Sequence, residues 1–149
     1  MLLLEGWCVG FRALTEAELE GKWADAVARR EQGGYHGRLG WNKFENVKFV
    51  NEALREYEGL TDQFDAFVHL DAKDTMFVYR WRSEQETRLR ASKGSGMTDN
   101  EVIDFVNGYY PAYELFTDGL RAGVFGGDKL KQLRLVIGEY REVQEVLKV

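Results

Sequence analysis

Leu2-Leu3-Leu4-Glu5-Gly6-Trp7, which follows Met1, decides how the fold is read. A short apolar run ended by an acid and a glycine predicts a buried strand at Leu2–Leu4 with a carboxylate at its C-terminal edge. In open α/β sheets, ligands sit beyond the carboxyl ends of the strands. Glu5 is therefore a candidate catalytic residue that takes a proton from a substrate hydroxyl, and a candidate to hold Mg²⁺ through water. An ordinary strand end with a solvated glutamate fits the same residues. Gly6 lets the backbone turn sharply there. Trp7 and Phe11 flank Gly10 just past the edge, as walls of a substrate pocket or as core.

Downstream, the apolar spacing alternates between helix and strand periods. Thr15 and Glu18 stand in capping-box relation, and Leu19, Trp23 and Val27 recur at helical spacing, so a helix is expected over about 16–30. Residues 31–42 carry four glycines and read as a loop. Phe44, Val47, Val50, Leu54 and Tyr57 form the apolar stripe of a second helix. Phe64 to Leu70 reads as a mostly buried strand. A helix from Asp74 or Thr75 to about Ser92 is broken by the 93–96 segment. Thr98 and Glu101 form a second capping box and open another helix, which Pro111 is expected to divide or kink. Residues 119–131 read as loop, 133–137 as a strand, 138–141 as a turn and 143–149 as a last strand. This alternation predicts an α/β sheet of about four strands with helices on its faces.

The composition restricts the class. The chain has 149 residues, 44% hydrophobic and 13% aromatic, enough for a core in one domain. Twenty basic and twenty-five acidic residues leave 20 − 25 = −5, against the basic excess of a dedicated nucleic-acid binder. The longest apolar runs are far shorter than the roughly 20 residues of a membrane span. The single cysteine, Cys8, has no internal disulfide partner, which fits a reducing, cytoplasmic setting.

A second constellation is Val78-Tyr79-Arg80-Trp81-Arg82-Ser83-Glu84-Gln85-Glu86, with Arg88 and Arg90 behind it. Arginine forks on a helix next to a strand edge suit phosphate oxygens. Pairs at i,i+4, Arg80 with Glu84 and Arg82 with Glu86, are the plain alternative. On a regular helix Arg80 and Arg82 point about 160° apart, so one of the two has another task. The 33–40 glycine segment lacks a Gly-Lys-Ser/Thr ending and reads as an ordinary loop that includes His36. His69 has no His or Cys partner at metal spacing and reads as structural.

These blocks together resemble a known family. Glu5-Gly6-Trp7-Cys8-Val9-Gly10-Phe11 is similar to the EGWxxGF signature of D-glycerate 3-kinase-like proteins, P-loop kinases related to uridine kinase and phosphoribulokinase. The block from Val78 to Glu86 resembles the family's YRWRxxQE segment. Gly96 to Val102, Phe105-Val106 and Tyr109 to Tyr113 resemble its GMSDxEVxxFVxxYxPAY stretch, and Asn51 to Leu54 also fits. The last two strands look like the C-terminal strands of fungal members.

The resemblance implies ATP- and Mg²⁺-dependent phosphorylation of a small hydroxy-acid or related metabolite. Glu5 then corresponds to the acid of a Walker B-type strand. Arg80 and Arg82 correspond to lid arginines that bind the nucleotide phosphates. Trp7, Phe11 and Tyr79 are the expected substrate-binding residues. The family's Gly-x-x-x-x-Gly-Lys-Ser/Thr loop precedes the EGW strand and does not occur in these 149 residues. The expected fold is thus an incomplete P-loop-kinase-like parallel sheet flanked by helices and lacking the phosphate-loop strand, with residues 1–149 as the C-terminal portion of the domain. Expected consequences are a kinase portion inactive alone, and self-association through the exposed strand edge. A non-catalytic binding or regulatory remnant, or a truncated gene product, is the competing expectation.

Overall fold

Both predicted capping boxes form. In the computed structural model, which describes residues 1–126, 128 and 131–149, the Glu18 amide donates to Thr15 Oγ1, and the Thr15 amide donates to Glu18 Oε2 at 2.9 Å. Thr98 and Glu101 repeat the arrangement. Helix α1 spans Glu16–Gln32 and stops at Gly33, whose φ of 86° a side chain would resist. A single 3-10 turn, Leu39–Trp41, leads to α2, Phe44–Arg55, and a short α3, Glu58–Thr61. Strand β1, Phe67–Ala72, precedes α4, Phe77–Lys93, and α5, Asp99–Ala122. Strands β2, Gln132–Ile137, and β3, Val143–Lys148, close the chain.

The sheet order is β1-β2-β3. β1 and β2 are parallel, with Val68 opposite Leu133 and Leu70 opposite Leu135. β2 and β3 form an antiparallel hairpin, so the sheet is mixed. Its turn places Arg141 at φ 66°.

Four sequence expectations change. Leu2–Leu4 forms no strand among the described residues, and Leu2 and Leu3 are 94% and 84% exposed. A strand needs a neighbour to bond to, and among the described residues none pairs with this segment. Pro111 sits inside α5 and does not divide it. α5 also continues through Gly119 to Ala122, inside the predicted 119–131 loop; positions 127, 129 and 130 of that loop lie outside the described residues. In α2 the buried face runs through Val47 and Asn51, whereas Val50 and Tyr57 are exposed.

Most of the core lies between helices. Phe11, Leu19, Ala26, Leu39, Val47, Leu115, Phe116 and Leu120 form its main cluster, and Val102, Val106 and Tyr110 a second one. Buried Asn51 ties α2 to the 11–14 segment: its Oδ1 accepts from the Leu14 amide at 2.8 Å and its Nδ2 donates to the Leu14 carbonyl at 2.9 Å. Gly10, at φ 87°, carries the close approach of this segment to the sheet. A Cβ there would lie 2.8 Å from the Phe67 ring and 2.9 Å from Leu120. These contacts fix the 6–11 turn, and with it Glu5 and Trp7, against β1 and α5.

Candidate functional site

A cleft of about 700 Å³ runs along the outer edge of β1. One wall is Leu3 to Trp7 and the other is Phe67 to Ala72, with Thr75, Trp81, Tyr113 and Thr117 around them. Glu5 is exposed on this cleft and makes no hydrogen bond or ion pair among the described residues. Trp7 is 55% exposed and packs at 5.3 Å on Tyr109 and 6.1 Å on Tyr113. Phe11 is buried against Phe116 and lines the cleft floor from the core. Glu5, Trp7 and Phe11 therefore meet at one site.

The arginines divide as their helical angles require. Arg82 lines an adjoining cleft with Gln85, Arg88, Tyr109 and Arg141. This cleft shares Val78, Trp81 and Tyr113 with the first. Arg82 pairs with Glu86 at 2.6 Å and lies over the Phe105 ring. Arg88 makes no hydrogen bond or ion pair among the described residues. Arg80 faces the 138–141 turn, where it bonds the Glu139 carboxylate and carbonyl, and its Nε lies 3.5 Å from Glu84. Both i,i+4 pairs are thus present, and Arg80's main partner is Glu139. Tyr79 lies behind the clefts. Its hydroxyl donates to Asn107 Oδ1 at 2.7 Å, and burial raises its pKa. Burial pushes the Tyr113 phenol up to about 12, so it stays protonated at neutral pH.

Sequence reasoning missed the charged group at the C-terminal end of β1. Asp71 is 2% exposed. Arg121 donates to it twice at 3.0 Å and Arg134 once at 2.7 Å. Burial opposes its ionisation, but the two guanidinium groups hold its carboxyl below the ordinary aspartate value. The signal was the acid at the end of a predicted strand, as at Glu5, but the arginines that mark it lie 50 and 63 residues away. His69 is buried beside it, and burial lowers its pKa. Its Nδ1 and the Thr117 hydroxyl are buried with no hydrogen-bond partner among the described residues, and both residues line the main cleft.

Among the described residues, no group of three or more His, Cys, Asp or Glu side chains is placed to hold a metal. Asp71 is committed to its arginines, which leaves Glu5 as the carboxylate on this cleft open to a Mg²⁺ held through water. One carboxylate together with substrate phosphates is a common Mg²⁺ arrangement. No helix of the described residues is long and apolar enough to cross a membrane.

No family model matches the chain. It is 37% identical over 115 residues to an uncharacterized kinase of Schizosaccharomyces pombe, covering 77% of this chain and 37% of that one. It is 33% identical over 143 residues to the chloroplastic D-glycerate 3-kinase of Arabidopsis thaliana, covering 95% of this chain and 27% of that protein. Among solved structures, D-glycerate 3-kinase from Cryptococcus neoformans superposes with a TM-score of 0.86 at 35% identity, covering 97% of this chain and 48% of that chain. The chain thus spans between about a quarter and half of these relatives.

Proposed function

Belonging to the D-glycerate 3-kinase-like family, of whose members it spans less than half, this chain is, we propose, one portion of an ATP-dependent kinase acting on a small hydroxy-acid or related metabolite. The observation that carries the reading is Glu5. It is a carboxylate without a partner among the described residues, on the cleft along the outer edge of β1, with Trp7 as an aromatic wall. In phosphoryl transfer the protein mainly positions the reactants and offsets developing charge. Glu5 takes the proton of the acceptor hydroxyl, or holds Mg²⁺ through water. The metal, when bound, neutralises phosphate oxygens. Arg82 and Arg88 bring positive charge to the adjoining cleft. Arg80 joins them only by exchanging its bonds to Glu139. Trp7 contacts the substrate, Phe11 supports the cleft floor, and Tyr79 holds α4 against α5 through Asn107.

A second reading has its own support. The 149 residues contain no Gly-x-x-x-x-Gly-Lys-Ser/Thr motif, so the phosphates lack their usual backbone cradle here. This favours a portion that is inactive by itself, or a non-catalytic binding remnant. A reducing, cytoplasmic setting fits both readings, as does self-association through the open strand edge.

The test is D-glycerate-dependent ADP release with ATP and Mg²⁺. It is run on the chain alone, on the segment of the Cryptococcus kinase outside the matched 48% alone, and on the two together. The expected result is no turnover from either alone and turnover from the pair that disappears in Glu5→Gln. Turnover by this chain alone above about one per minute, far from the typical kinase range of 1–100 per second, would show that phosphates are held without that loop. An assembled but inactive pair would favour the binding remnant.

A further inference from the structure

The β2–β3 turn and α4 hold each other through crossed charges. Arg80 of α4 bonds the Glu139 carboxylate and carbonyl, and Arg141 of the turn bonds Glu84 of α4 at 2.6 Å. The Trp81 indole donates to the Glu139 carbonyl at 2.8 Å. The Arg141 guanidinium also reaches the Trp81 carbonyl at 3.3 Å and lies over the Trp81 ring. Three bonds to Glu139 therefore dock the turn on α4 without any help from Arg141.

Arg141 nonetheless occupies a costly position. At φ 66° it is the one non-glycine residue with left-handed backbone among the described residues. A Cβ in that conformation crowds the following carbonyl oxygen, so such hairpin positions usually go to glycine or asparagine. Strain of this kind persists where a side chain is used. The pair with Glu84 does not account for it, because exposed ion pairs contribute little to stability, and the Arg141 side chain is 46% exposed. What Arg141 does have is a place in the adjoining cleft. It lines this space of about 540 Å³ together with Arg82 and Arg88, and Trp81 and Tyr109 are aromatic walls. Glu84 is held below the ordinary glutamate range chiefly by its bond from Arg141, so it is an anion seated on this guanidinium. Arg80 Nε lies 3.5 Å from the same carboxylate, which gives Glu84 a second cation to turn to.

We propose that Arg141 is an anion-binding residue of this cleft, which exchanges Glu84 for the phosphate oxygens of a ligand seated beside Arg82 and Arg88. A guanidinium fork matches phosphate oxygens bidentately, as it matches a carboxylate. On exchange Glu84 passes to Arg80, its i,i+4 neighbour, so no carboxylate is left without a cation. The turn stays docked through Glu139. The cleft's third guanidinium thus comes from the C-terminal hairpin rather than from α4, and the backbone strain at φ 66° is what places it there. This deepens the kinase reading and rests on it for the source of the phosphate, which is the nucleotide or the phosphorylated product.

The test titrates this chain with inorganic tripolyphosphate at low salt and follows the Trp81 indole N–H by nuclear magnetic resonance. Arg141→Gly removes the guanidinium and relaxes the backbone. Affinity should fall about tenfold, the size of one bond to a charged group, with the melting temperature unchanged or raised. Glu84→Gln removes the competing anion and should raise affinity about threefold, the size of an exposed ion pair. An ion pair that serves only the fold responds in the same direction whichever partner is removed, whereas exchange predicts opposite signs. Arg141→Lys should restore part of the affinity. Parallel titrations with ADP and with glycerol 3-phosphate separate the nucleotide from a phosphorylated product as the source. Three results would overturn the proposal: no binding of any of these probes, binding indifferent to Arg141→Gly, or binding that Glu84→Gln leaves unchanged or weakens. Binding is read without turnover. The expected pattern without ADP release from the chain joined to the remaining Cryptococcus segment would sink the kinase reading and leave this one standing, and turnover indifferent to Arg141→Gly would do the reverse.

Discussion

Replacing Asp71 with Asn tests whether the charged group under β1 holds the sheet to α5. Asn keeps the shape and one acceptor oxygen but removes the charge. Three hydrogen bonds are affected, two from Arg121 at 3.0 Å and one from Arg134 at 2.7 Å. Bonds to a charged partner contribute about 1.5–3 kcal/mol and neutral ones about 0.5–1.5. Three such conversions suggest a loss of about 3 kcal/mol. The Arg121 and Arg134 side chains are 33% and 22% exposed, so both regain some hydration, and a net loss of about 2 kcal/mol is expected. For a chain of this length that is a melting temperature lower by about 4–8 °C. Urea unfolding followed by circular dichroism measures it. The folded-state pKa of Asp71 is depressed. Its contribution is therefore fully present above the unfolded value of about 3.9, and is lost as pH falls through the folded one. The gap between wild type and Asp71→Asn should hold from pH 7 to about pH 5 and shrink toward pH 3. A difference below about 0.5 kcal/mol at pH 7, or one that does not shrink in acid, would refute the reasoning.

Three further outcomes follow from buried groups. Asn51→Ala removes both bonds to Leu14 and strands its amide, while its carbonyl keeps the Arg55 guanidinium at 2.9 Å, so urea unfolding should show a loss of about 1–3 kcal/mol. Gly10→Ala forces a Cβ against Phe67 and Leu120 at a φ of 87° and should cost about 2–4 kcal/mol. It should also raise amide exchange across the 6–11 turn. His69 has a pKa lowered by burial, so the unfolded chain takes up its proton first. Stability should fall as pH drops below about 6.5, and this slope should be smaller in His69→Gln, as pH-dependent urea midpoints will show.

What was legible in the sequence was local. Thr15 and Glu18, and Thr98 and Glu101, set helix starts within four residues, and the structure keeps both. Strands β2 and β3 and the turn between them were visible because a turn opening at Gly138 separates two short runs rich in Val, Leu and Ile. Leu2–Leu4 failed for a non-local reason. Apolarity favours a strand, but a strand exists only with a partner, and none pairs with it among the described residues. Asn51 was quoted only for its place in a family block, because nothing local says that a polar residue will face Leu14. Asp71 needed two arginines from distant elements. Within the candidate site, Glu5, Trp7 and Phe11 lie close in sequence and meet in one cleft. The 160° between Arg80 and Arg82 anticipated that they face different neighbours.

The most direct test of the kinase-portion reading is a chimera in which this chain replaces the matched 48% of the Cryptococcus enzyme. The measurement is D-glycerate-dependent ADP release, with Glu5→Gln as the comparison. The account predicts turnover in the chimera and a loss of at least about 100-fold in Glu5→Gln, in the range of removing a positioned general base, with unchanged thermal stability. A folded chimera whose turnover is unaffected by Glu5→Gln, or that has none, would contradict it.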